Sequence, residues 1–311
     1  AGRKEYEKAF ETYDAAQKLK PGEPVTYMKK AGLYLQLKQN EKALAELETG
    51  YAEIKDSARL LTALADQYIK QKGTSAAIAL CQERLARNPK EAFTLNLLGG
   101  IYLVEKEYDK AKTNFKKAIE INPDWSKPYD NLARMYLMQG KKDTAIKELK
   151  AALMQNDKNS TAWLMLGTIY DKGKEYAAAA DTYQKAFEAM PNLWAAANNY
   201  AYIKSEHFKD KQELEQALEY AQKALKLKPN AGVILDTIGW IYFKMGDYAN
   251  AREYIEKAIG QHPENPIVNY HMGMVLDKLG NVQESKSFLE KALSQNKDFQ
   301  GAETARKILG N

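Results

Sequence analysis

Four side chains in this sequence carry chemistry beyond ordinary surface charge: Cys81 and the histidines His207, His262 and His271. A thiol beside an imidazole makes a nucleophile, imidazoles one helical turn apart hold a metal, and a histidine beside a carboxylate moves protons. The spacing supports none of these. The histidines stand 55 and 9 residues apart, and there is no His-Glu-x-x-His, no Gly-x-Ser-x-Gly and no glycine loop ending in Lys-Ser or Lys-Thr. A single cysteine excludes an internal disulfide and a multi-cysteine zinc cage. No catalytic, cofactor or metal site is expected. The remaining chemistry is recognition by aromatic rings, amides and a few charges, and whether those groups face outward depends on the elements that carry them.

Composition sets the frame. Charged residues are 28% and hydrophobic residues 45%, the balance of a folded chain rather than a disordered one. The net charge of +5 is spread as Lys and Glu along the whole length, which does not argue for nucleic acid. No run of 18 apolar residues exists, so no membrane span is expected.

One spacing organises the chain. Tyr34, Tyr68, Tyr102, Tyr136 and Tyr170 stand 34 residues apart, and Tyr242 follows after 72. Small residues lie three before each (Ala31, Ala65, Gly99, Ala133, Gly167, Gly239) and alanines nine after (Ala43, Ala77, Ala111, Ala145, Ala179, Ala251). Prolines recur at Pro21, Pro89, Pro123, Pro191, Pro229 and Pro263. Each period reads as a helix pair. The first helix carries the apolar, small and Tyr positions, a short turn follows with glycine at Gly140, Gly246 and Gly280, and the second helix presents Ala111, Phe115 and Ala118 on one face. One pair cannot cover its own apolar faces, so the pairs must stack. Cys81 occupies the slot of Phe115 and is expected to be a packing thiol.

This pattern resembles the tetratricopeptide repeat family. Trp163, Leu166, Gly167 and Tyr170, then Ala179, Tyr183, Ala186 and Pro191, follow its signature, with Tyr183 in place of Phe. Eight full repeats are expected at 24–57, 58–91, 92–125, 126–159, 160–193, 194–231, 232–265 and 266–299, in a single array over 1–311. Residues 3–22 read as the second helix of an incomplete repeat, which implies an array that begins further upstream, and 300–311 as a capping helix. The sixth repeat is four residues longer than the others, with the excess in SEHFKDKQELE and Lys204 in a Tyr slot, so a longer first helix or turn is expected there. The resemblance implies an all-α, right-handed superhelical solenoid of stacked antiparallel helix pairs, with first helices lining a concave face that binds a protein or peptide partner.

Two rows on the first helices are not claimed by packing. One runs Gly32, Asp66, Gly100, Arg134, Thr168, Tyr202, Trp240, Met274; the other runs Met28, Thr62, Asn96, Asp130, Leu164, Asn198, Asp236, Tyr270. Their types vary, as a framework position would not. Trp240 is therefore placed on the surface, in an aromatic patch with Tyr202, Phe243 and Tyr270 edged by Asn198, Asn199 and Asp236. Asn96, Asp130, Asn131 and Arg134 form a second candidate group for a backbone or a carboxylate. Aromatics beside amides suit recognition of a peptide segment. The family's two-carboxylate clamp of Lys, Asn and Arg has no match, since no repeat carries its Lys–Asn pair. The stretches NNYAYI and 218–259 are also similar to the C-terminal part of large bacterial repeat proteins, some of which work in envelope assembly or export. A periplasmic or envelope setting is therefore favoured over the cytoplasm. The alternative reading is a structural array that self-associates through Phe10 and Tyr13 of its incomplete first repeat.

Overall fold

The computed structural model describes residues 2–208 and 210–310, which form eighteen helices and no strand. Lys209, inside the long sixth repeat, and Asn311, at the end of the expected cap, lie outside the described residues. The chain divides into two compact halves, Ala1–Glu148 and Leu149–Asn311.

In the N-terminal half, α1 (Gly2–Leu19) precedes the hairpins α2 (Pro24–Gln36) with α3 (Asn40–Glu53), α4 (Ala58–Gln71) with α5 (Thr74–Arg87), and α6 (Ala92–Val104) with α7 (Tyr108–Ile121). Then come α8 (Ser126–Met138) and α9 (Lys142–Gln155), the latter running across the division. The C-terminal half pairs α10 (Ser160–Lys172) with α11 (Tyr176–Ala189), α12 (Trp194–His207) with α13 (Lys211–Leu227), α14 (Gly232–Met245) with α15 (Tyr248–Gln261), and α16 (Pro266–Lys278) with α17 (Val282–Gln295). It ends in α18 (Ala302–Leu309).

The hairpin turns explain why each first helix stops where it does. A residue with left-handed backbone recurs after the first helices, at Lys38, Gly73, Lys106, Gly140, Lys174, Gly246 and Gly280, with φ between 57° and 86°. Glycine adopts this conformation without strain, while lysine bears a modest penalty. Caps begin the next helices: Ser57 accepts from the Leu60 N–H at 3.2 Å and Asn159 from the Ala162 N–H at 3.0 Å. Asn159, which stands in a glycosylation-like Asn-Ser-Thr triplet, thus serves as a buried cap.

Within each half the small positions form the seam between paired helices. Ala43, Ala77, Ala111, Ala179 and Ala251 are fully buried, as are Phe115 and Cys81. Burial pushes the Cys81 thiol up to about 12, so it stays protonated and packs as a small apolar group. The periodic tyrosines are mostly half-buried, and lysine ammonium groups lie over several of their rings, Lys72 4.7 Å from the Tyr68 centroid. First helices also touch the first helices of neighbouring repeats, α2–α4–α6–α8 in one half and α10–α12–α14–α16 in the other. Contacts between successive second helices α11, α13, α15 and α17 are weaker or absent among the described residues. Each stack therefore curves with its first helices on the inside.

The extra length of the sixth repeat goes mainly into its second helix. Helix α13 has 17 residues where α11 and α15 have 14, and α12 has 14 where α10 has 13. This differs from the expected longer first helix or turn. Asp210 caps α13 early, accepting from the Glu213 N–H at 3.0 Å, and Lys204 pairs with Glu213, so the additional residues continue as helix.

Candidate protein-binding face

In the N-terminal half the first-helix face is open. Met28 of α2, Ala58, Arg59, Thr62, Ala63 and Asp66 of α4, and Phe93 of α6 line a cavity of about 350 Å³. Its floor is apolar, and Arg59 and Asp66 are exposed charges at its edge. Further along, Asn131 of α8 donates to the Asn96 side-chain oxygen of α6 at 3.0 Å, and Arg134 is exposed. Three of the four residues expected here, Asn96, Asn131 and Arg134, thus reach the face. Asp130 does not: it is 2% exposed, because α8 packs on both α6 and α7 and closes the side that carries it.

The C-terminal half corrects the expectation for Trp240. It is 4% exposed, not a surface anchor. Its indole is sandwiched between Phe243 (centroids 4.6 Å apart, planes at 5°) and His271 (3.9 Å, 15°), with Tyr270 tilted against it at 6.0 Å. The indole N–H donates to Glu206, one turn beyond Tyr202 on α12, and the Lys244 ammonium lies 3.1 Å from the same carboxylate oxygen and 4.8 Å from the Trp240 centroid. Tyr270, Asn198 and Asp236, also expected on the surface, are buried as well. For Trp240 and Tyr270 the cause is a cover that the row pattern does not show. Residues 299–301, just before α18, lie over this end of the face: Phe299 meets Tyr270 at 5.5 Å, and Gln300 reaches both Tyr202 and Glu206. Asn199, Tyr202 and Phe243 remain half-buried.

The electrostatics follow from this enclosure. Burial raises the Glu206 carboxyl, but the Trp240 N–H and the Lys244 ammonium outweigh it, so the group sits below the usual glutamate range. Burial, reinforced by Glu206, raises the Tyr202 hydroxyl and keeps it a donor. Sequence reasoning missed Glu206, Lys244 and Gln300. The signal available was Glu206 itself, four residues after Tyr202 on one helical face and inside the unusual sixth repeat.

His271 has the carboxylate partner that its isolation in sequence does not suggest: its Nδ1 lies 2.9 Å from Asp236 Oδ1. A buried imidazole held by a carboxylate and stacked on an indole is a fixed packing group. His207 stacks on Tyr176 at 3.3 Å, and burial lowers its proton affinity. His262 ends α15 in solvent. Among the described residues no three His, Cys, Asp or Glu side chains converge to hold a metal ion, and no helix is long and apolar enough to cross a membrane.

Family models place these elements. A model described as the tetratricopeptide repeat protein 21 C-terminal ARM domain matches residues 123–234, and models described as tetratricopeptide repeat match 92–124 and 242–306. Among solved structures the chain is similar to a tetratricopeptide repeat protein from Parabacteroides merdae ATCC 43184, at 16% identity and TM-score 0.54 over 82% of this chain and 99% of that one. It is also similar to the APC/C hetero-tetramer Cut9-Hcn1, at 15% and 0.56, covering 91% of this chain and 55% of that one. A third is Pseudomonas aeruginosa pilF, at 18% and 0.54, covering 71% and 99%. At these identities the likeness is one of fold. No curated protein sequence matches the chain.

Proposed function

We propose that this chain, whose residues 92–124 and 242–306 match models described as tetratricopeptide repeat, is a non-catalytic scaffold that binds a protein or peptide partner on its first-helix face. The observation that carries the reading is the apolar cavity spanning α2, α4 and α6, open to solvent and edged by Arg59 and Asp66. Such a site suits an apolar side chain of an extended segment, with the charges fixing its direction. Asn96, Asn131 and Arg134 continue the face and offer donors to a backbone or a carboxylate. An envelope assembly or export role is supported by the likeness of 218–259 to bacterial repeat proteins of that setting; pilF shares the fold.

The reading is tested with a photo-crosslinking residue at position 62, inside the cavity, and at position 116, on the exposed side of α7. Partner adducts from 62 that are missing from 116 are expected. The same adducts from both positions overturn the assignment of the face.

A homotypic array is the second reading. Phe10 and Tyr13 of α1 are half-buried, Phe10 against Tyr34 at 4.6 Å, but the helix leaves Leu19 82% and Tyr6 38% exposed. It requires a solution mass that rises with concentration.

A further inference from the structure

Residues 296–301 carry no helix, yet they are pinned to α12 and α16 by specific side-chain contacts. Gln300 accepts from the Tyr202 hydroxyl at 2.8 Å and donates to Glu206 at 2.6 Å. Phe299 packs on Tyr270. Gly301 has a φ of +104°, and a Cβ there would run into the Tyr270 ring. The segment does not fill the space it covers. A cavity of about 210 Å³ remains, lined by Tyr202, Glu206 and Trp240 on one side and Gln300, Gly301 and Thr304 on the other. Gln300 itself is exposed.

We propose that residues 299–301 are an internal ligand: they occupy, in a turn closed by the Ala302 N–H on the Phe299 carbonyl at 3.0 Å, a site that takes a partner segment of the same chemistry and the same turn, an aromatic residue followed by a side-chain amide and glycine, and they keep it closed until such a segment displaces them. Tyr202 and Glu206 present one donor and one anionic acceptor, complementary to one carboxamide. A carboxylate in place of the amide would face Glu206 with like charge. An aliphatic residue would leave the Tyr202 hydroxyl and Oε2 of Glu206 without the partner that Gln300 supplies. The glycine follows from the Tyr270 ring, which occupies the space any side chain at 301 would need. Tethering makes the internal copy a strong competitor. A short flexible link gives an effective concentration on the order of millimolar, which weakens an external segment of micromolar intrinsic affinity by a hundredfold or more.

The proposal rests on the first-helix face being the binding face, but its probe is the chain's own segment. It can therefore fail while crosslinking at position 62 succeeds. A labelled peptide of residues 296–310 is titrated, by fluorescence anisotropy, into full-length wild-type chain and into full-length Gly301→Val, in which strain and the clash with Tyr270 expel the segment. The variant is expected to bind the peptide at least about tenfold more tightly than wild type. Peptides with Gln300→Ala or Gln300→Glu are expected to lose at least that factor. Gln300→Ala in the full-length chain is the second opened form and decides the outcome if Gly301→Val loses its helical circular dichroism. Equal affinity for wild-type and opened chains, binding to none of them, or indifference to the residue at 300 overturns the proposal.

Discussion

Nδ1 of His271 lies 2.9 Å from Oδ1 of Asp236, thirty-five positions earlier, and Asn131 donates to Asn96 across the same interval at 3.0 Å. In a 34-residue period this offset joins a first helix to the next one by a residue turned one step further around its axis. The polar residues of these rows thus make rungs between neighbouring first helices within each half. Where the longer sixth repeat intervenes, the equivalent pair is Asn198 and Thr237, and no such rung forms. The Thr237 hydroxyl turns to the Val233 carbonyl of its own helix at 3.0 Å, and the Asn198 side-chain oxygen is buried without a hydrogen-bond partner.

The Asp236–His271 rung predicts a graded loss of stability. Asp236→Ala removes the acceptor and leaves a buried ring nitrogen without it, at a cost of about 1–3 kcal/mol. Asp236→Asn keeps an oxygen in place and should lose clearly less. Urea unfolding of the two variants makes the comparison. If alanine and asparagine are equally harmless, the contact contributes nothing to the stack.

Most of the fold was legible in the sequence because packing repeats. The small positions at Ala31, Ala65, Gly99, Ala133, Gly167 and Gly239 are all buried, since each is set by the second helix of its own hairpin. Cys81 was readable for the same reason. The candidate site was less legible, because a row within the repeat says nothing of a segment from outside it. Types vary along the row that holds Trp240, and such variation predicts exposure. Trp240 is buried instead because residues 299–301 and Glu206 complete its environment locally. Variation along a row marks a position released from the common framework, and a private contact releases it as well as solvent does.

Trp240 is consequently expected to act on stability first. Trp240→Ala removes an indole stacked on Phe243 and His271 and should destabilise the C-terminal half by about 3–5 kcal/mol. Trp240→Phe retains a ring but no N–H for Glu206, and should cost about 1–3 kcal/mol, the range for a buried acceptor left short of a donor. Denaturation followed by far-ultraviolet circular dichroism measures both. A loss under about 0.5 kcal/mol for the alanine variant, the range of surface substitutions, would restore the surface placement.

Acid should weaken the N-terminal half through Glu91. Its carboxylate is clamped by Arg84, whose Nε lies 2.6 Å from Oε2, and Thr94 donates to the same oxygen at 2.6 Å. Arg84 is itself 5% exposed and also donates to the Lys55 and Asp56 carbonyls at 2.6 and 3.0 Å, so the pair ties α5 to the loop before α4 and to the start of α6. The Arg84 hydrogen bond holds the Glu91 carboxyl below the usual range despite partial burial, and Thr94 adds to this. A carboxylate depressed in the folded state contributes stability above its unfolded value, about 4.3, and that contribution disappears as pH falls through its lower folded value. Stability should therefore drop below about pH 4.3 in wild type. Glu91→Gln should be less stable at neutral pH, where it leaves the buried Arg84 charge unpaired, and its stability should fall less steeply over the acid range. Urea midpoints measured from neutral pH into acid separate the two chains. Parallel curves would assign the acid sensitivity to other carboxylates.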